Sequence, residues 1–185
     1  MVSEAHIDRF ATIWAIIEAR KTFPAMIVVT GATPADDTKS IARGLAEVAQ
    51  GVGQRAGYLQ LGADGRGTVT PSSYTVLSVA TRGSQRESFD AAVALWRSMY
   101  DIVVVDAAIL GVTALAAHVI RIADGVVIGV CDQRRVVPAD RALARLLGEL
   151  SASIIGAVMT APISKADAVL QSHSNSQLRA ATQLQ

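Results

Sequence analysis

The sequence predicts an α/β fold: a doubly wound, mostly parallel sheet with helices on both faces. Three observations carry that prediction. Short runs rich in β-branched residues alternate along the chain with segments of helical period. The runs "AMIVVT" (25–30), "DIVVVDA" (101–107) and "GVVIGV" (125–130) are continuously apolar, as strands buried on both faces are. Apolar residues make up 51% of the 185 and charged residues 18%, a balance suited to a sheet covered on both sides.

The elements follow in order. Ile7, Phe10, Ile13, Trp14 and Ile17 give residues 5–20 a wide apolar helical face. The run 25–30 reads as the first buried strand. A helix over 38–50 places Ile41, Leu45 and Val48 on one stripe, and "AGYLQL" (56–61) and "YTVLSVA" (74–80) read as further strands. Phe89, Val93 and Trp96 mark a helix over 86–99, leading into the strand 101–107. A helix over 112–122, the strand 125–130, a helix over 137–149 and the strand "SIIGAVMT" (153–160) complete the alternation. Residues 1–162 are expected to form a single domain, and 163–185 a polar, disordered tail.

Several function classes receive no support. No apolar run approaches the roughly 20 residues needed to cross a bilayer, and the first residues lack the pattern of a signal peptide. A cytoplasmic protein without direct membrane insertion is expected. The single cysteine, Cys131, offers no disulfide framework and suits a reducing compartment. His6, His118 and His173 are scattered without ligand spacing, so no metal site is expected. A net charge of +1 without a basic block gives nucleic-acid binding no electrostatic footing.

Ligands of parallel sheets bind beyond the carboxyl ends of the strands, which singles out three places. The first is the loop "GATPADDTKS", Gly31 to Ser40. A working phosphate loop needs glycines so that backbone N–H groups converge on phosphate oxygens, a lysine for the β/γ-phosphates and a Ser/Thr for Mg²⁺. Counting back from Lys39, the two glycine positions hold Thr33 and Thr38. The second place is Asp64, after "YLQLGAD", and the third is Asp106, at the end of "DIVVVDA". An acid at a strand end also serves as a helix cap or turn former, so neither aspartate is assigned alone. Arg134 and Arg135, after the strand 125–130, read as loop residues, and Cys131 as a buried thiol.

Taken together, "IVVTGATPADDTKSIARGLA", "YLQLGAD", "YDIVVVDAAILGVTA", "ADGVVIGV" and "IIGAVMT" resemble the bacterial tyrosine kinases of capsule and exopolysaccharide synthesis. These are cytoplasmic P-loop ATPases related to cell-division and partition ATPases. The resemblance runs from about residue 4 to 160 and implies a P-loop NTPase-like fold. It also exposes what is missing. Aligned in frame, the family's two loop glycines fall on Ala35 and Asp37, its phosphate lysine on Thr38, and its Ser-Thr pair on Lys39 and Ser40. Asp36 and Asp37 would repel a triphosphate. The family's Asp-x-Asp motif falls on Gly62-Ala63-Asp64, so its first acid is lost. Asp106 alone survives from the third motif, and Mg²⁺ is held largely through the nucleotide phosphates.

The family's tail tyrosines are absent, the tyrosines here being Tyr58, Tyr74 and Tyr100. Its ring-forming Glu-x-x-Arg-x-x-Arg pattern falls on Asp8, Ala11 and Trp14. The resemblance therefore implies a degenerate, non-catalytic, pseudokinase-like member with no cofactor. Thr33, Pro34, Asp37, Thr38, Lys39 and Ser40 would be a vestigial nucleotide loop, with Asp64 and Asp106 as vestigial acids. Pro34 and the acids suit the start of a helix. The implied role is in exopolysaccharide, capsule or holdfast-type polysaccharide synthesis and export, bound to a Wzz-like membrane co-polymerase at the inner membrane. Phe10 and Trp14 are candidate interface residues, for that partner or for a homo-oligomer, the alternative being that Trp14 packs on the chain's own sheet. The alternatives are a divergent ATPase or tyrosine kinase that holds Mg-ATP through Lys39, Ser40, Asp64 and Asp106, and a partition- or septum-positioning ATPase relative.

Overall fold

A computed structural model describes residues 4–20, 22–61, 75–76, 85–109, 114–132 and 135–161. The helices are α1 (Glu4–Arg20), α2 (Thr38–Gly51), α3 (Gln85–Met99), α4 (Ala114–Ile122) and α5 (Pro138–Glu149). The strands are β1 (Ala25–Gly31), β2 (Ala56–Gln60), β3 (Thr75–Val76), β4 (Ile102–Ile109), β5 (Gly125–Cys131) and β6 (Ile154–Thr160). They form one sheet in the order β3-β2-β4-β1-β5-β6, and every pairing is parallel. The doubly wound α/β fold expected from the sequence is the fold observed. The strand expected over 74–80 is described only at Thr75–Val76, and the segment 163–185 lies outside the described residues.

The continuous apolar strands are explained by two cores, one on each face. Ile27 and Val29 of β1 point to a core built with Ile41, Leu45 and Ala49 of α2 and Ile13 and Ile17 of α1. Met26 and Val28, which alternate with them in sequence, point to the other face, onto Phe89 and Trp96 of α3, Val119 of α4 and Leu147 of α5. Alternate residues of one strand thus enter opposite cores, so a polar residue at any of these positions would be buried.

Phe10 and Trp14, candidates for an interface or for packing within the chain, are turned inwards. They are 6% and 3% exposed and belong to the core shared by α1 and α2. The apolar stripe of α1 is consumed by packing within the chain, so of the two readings the fold takes the internal one and not an interface centred on these side chains. Helix α1 approaches α2 closely because Gly44 has no side chain: a Cβ there would lie 2.2 Å from Phe10 Cε2 and 2.4 Å from its Cδ2. Gly44→Ala must displace a buried ring, at a cost of about 1–3 kcal/mol. A urea titration should show that loss, and an unchanged midpoint would mean α1 is not docked in this way.

The amino ends of the strands are fixed by ion pairs. Arg55 forks onto Asp101 with contacts of 2.6 and 3.1 Å, and this pairing holds the Asp101 carboxyl down at about 2. Asp124 Oδ2 accepts from both the Met26 N–H (2.7 Å) and Arg97 (2.8 Å), which sets the start of β1 against β5.

Candidate phosphate-loop site

The site lies where the winding of the sheet reverses. From β1 the chain crosses β4 to reach β2, while from β4 it crosses β1 to reach β5. Helix α2 therefore packs on one face and α4 on the other, which makes the carboxyl ends of β1 and β4 the switch point of the sheet. The sequence-aligned phosphate loop and Asp106 both stand at this edge.

The loop is built by local chemistry. Thr33 is extended, Pro34 supplies the fixed φ that starts a turn, and Pro34–Asp36 form a single 3-10 turn. Asp37 takes a left-handed conformation (φ 37°, ψ 49°), and its Oδ1 accepts from the Ser40 N–H at 3.3 Å, capping α2. The expected helix-starting role of Pro34 and the acids is what the chain uses them for.

Asp36 is the centre of the arrangement. It is fully buried. Its Oδ2 accepts from the N–H groups of Ala32 (2.8 Å) and Thr33 (2.7 Å) and from the Thr33 hydroxyl (3.2 Å). Its Oδ1 accepts from the N–H of Cys131, at the end of β5, at 2.9 Å. A carboxylate is an acceptor with two oxygens, so backbone donors from two strand ends satisfy it. In a phosphate loop, backbone N–H groups at this turn converge on a bound anion. Here the N–H groups of residues 32 and 33, just before the positions aligned with the loop glycines, are taken by the Asp36 side chain.

The packing around Asp36 leaves no slack. A Cβ on Gly31 would lie 2.7 Å from Asp36 Cβ, and one on Gly129 would lie 2.6 Å from the Asp36 carbonyl oxygen. Both glycines sit in strands, where a missing side chain admits close approach of another segment.

Asp106 is 1% exposed and takes the Thr38 hydroxyl (2.8 Å) and the Ala108 N–H (2.9 Å), both on Oδ1. Ala108 has φ 49°, where the pairing of β4 with β1 slips register, and its carbonyl accepts from the Thr30 hydroxyl at 3.0 Å. Burial raises the pKa of Asp106, and the Thr38 and Ala108 hydrogen bonds and the charge of Lys39 oppose that shift. Lys39 is half-buried. Desolvation and then Arg43 lower its pKa against the attraction of Asp106 and Asp37.

The structure thus brings Thr33, Pro34, Asp37, Thr38, Lys39 and Asp106 to one edge of the sheet, with Ser40 exposed. Asp64 lies outside the described residues, as does Arg134. Arg135 is exposed, Cys131 is buried, and His118 contacts Asp90 at 2.6 Å on the far face. Among the described residues no three His, Cys, Asp or Glu side chains stand together as a metal cluster, and no helix is long and apolar enough to cross a membrane.

The link from Asp36 across to β5 was not read from the sequence, where Asp36 stood as a charge that would repel phosphate and as an acid suited to a helix start. A signal for the turn was present: Thr33-Pro34-Ala35-Asp36 has the Ser/Thr-x-x-acid spacing of a capping box. No such local signal links Asp36 to Cys131, 95 residues away.

No protein-family model and no curated protein matches the sequence. Solved structures do match the fold. The chimerical protein CapA2B2 superposes with a TM-score of 0.69 at 15% identity, over 85% of this chain and 84% of that one. The kinase domain of the Escherichia coli tyrosine kinase ETK gives 0.64 at 17%, over 85% and 74%. The VpsO kinase domain gives 0.63 at 12%, over 85% and 94%. At these identities the likeness is one of fold alone.

Proposed function

We propose that this chain is a non-catalytic relative of the bacterial tyrosine kinases, acting as a cytoplasmic component of polysaccharide synthesis and export. One observation carries the non-catalytic half: the side chain that stands in the place of the phosphate lysine is neutral and already hydrogen-bonded within the chain. Thr38, aligned with the phosphate lysine, brings no charge and spends its hydroxyl on Asp106. The pathway half rests on the sequence resemblance and on a fold shared with tyrosine kinase domains. Its partner would be the cytoplasmic end of a membrane-bound, chain-length co-polymerase. The chain would lie at the inner membrane through that partner, contacting it by a surface other than Phe10 and Trp14.

Isothermal titration of the protein with ATP and Mg²⁺ tests the reading. No heat beyond dilution is expected up to millimolar nucleotide. Micromolar binding that disappears in Lys39→Ala would instead establish the rival, a divergent ATPase, which draws on the closeness of Lys39 to Asp106.

A further inference from the structure

We propose that Asp36 is a latch that holds the carboxyl edge of the sheet in one conformation, so that this edge is a constitutive surface and not one reshaped by nucleotide. The inference rests on the reading that the loop carries no nucleotide, and adds what takes the nucleotide's place mechanically. The loop between β1 and α2 has no regular strand or helix to hold it beyond the turn Pro34–Asp36. A segment of that kind opens locally unless specific contacts secure it.

Asp36 supplies such contacts in two directions. Oδ2 ties the turn back to residues 32 and 33, at the end of β1. Oδ1 ties the same turn across to Cys131, at the end of β5. The backbone of the turn then rests directly on β5, since a Cβ on Gly129 would meet the Asp36 carbonyl oxygen at 2.6 Å and Ile41 Cδ1 at 2.9 Å. The carboxylate and the bare glycine are independent devices with one result: the turn is pinned onto two strand ends at once. Opening it would leave a buried carboxylate and three backbone N–H groups without partners, which is costly in a site closed to water.

Amide hydrogen exchange tests the latch, read residue by residue with and without Mg-ATP. In the unaltered protein the amides of Ala32, Thr33 and Cys131 should be protected without ligand, and Mg-ATP should not change their rates. Asp36→Asn replaces one acceptor oxygen by a donor facing an N–H, and should speed exchange at one or more of these three amides at least tenfold. Amides inside β1, at Ile27 to Val29, should keep their rates. Gly129→Ala reaches the turn without touching the carboxylate and should accelerate the same amides. Should Asp36→Asn fail to fold, Gly129→Ala alone decides. Unprotected amides at 32 and 33 in the unaltered protein overturn the latch, as do unchanged rates at all three in a folded variant. Binding of ATP by the unaltered protein would sink the non-catalytic reading instead, a result titration detects without reference to exchange.

Discussion

Asp36→Ala is expected to lower the unfolding free energy by about 2–5 kcal/mol, the range for substitutions that strand buried polar groups. The donors left behind are the N–H groups of Ala32, Thr33 and Cys131, which now lie 2.7–2.9 Å from the carboxylate. Removing an acceptor from a buried donor costs the donor's desolvation in full, whereas losing a solvated hydrogen bond costs little. The alanine also removes a buried charge, so the net loss falls short of the sum over three orphaned groups. Urea denaturation should register the loss. The neighbouring Asp37→Ala provides the contrast: it removes a single, longer cap hydrogen bond, to Ser40 N–H at 3.3 Å, and should cost about 1 kcal/mol. Equal effects from the two substitutions would show that Asp36 is an ordinary turn residue.

Asp106→Asn is expected to act in the opposite sense, raising stability at neutral pH by about 0.5–2 kcal/mol, the range for single stabilising substitutions. The asparagine oxygen can still accept from the Thr38 hydroxyl and the Ala108 N–H, while the cost of burying a charge disappears. Loss of the attraction to Lys39 offsets part of the gain.

The pH dependence gives a sharper test. Because burial raises the folded-state pKa of Asp106 above its ordinary value of 3.8, the folded chain holds the proton to higher pH than the unfolded chain does. The group's contribution is therefore most favourable below 3.8 and declines as pH rises through the unfolded and then the folded value. The stability gap between Asp106→Asn and the unaltered protein should accordingly be greatest near neutrality and close as pH falls below that value. A variant less stable at neutral pH, or a gap that widens in acid, would mean that ionised Asp106 is a structural support.

Most of the fold was legible in the sequence. The runs "AMIVVT", "DIVVVDA" and "GVVIGV" became β1, β4 and β5 because a strand covered on both faces needs apolar residues at every position. Helix α2 begins at Thr38 because Pro34 and Asp37 supply a turn and a cap, and such signals lie within a few residues of each other. The reading of α1 reached only half as far. Its apolar stripe was visible, but whether that stripe met a partner or the chain's own α2 depended on Gly44, 34 residues after Phe10 and silent in any helical period.

The site divides along the same line. The sequence by itself determined that the phosphate loop is short of glycines, that Thr38 stands in the lysine's place, and that Asp106 ends a buried strand. Only the tertiary structure decided what Asp36 does. Its charge is readable from the chain and its turn from Thr33-Pro34, but its partner at Cys131 is supplied by the pairing of β1 with β5. Local spacing fixes caps and turns because their atoms are neighbours in sequence. A carboxylate that joins two strand ends depends on how the sheet is ordered, and that order is set by packing across the whole domain.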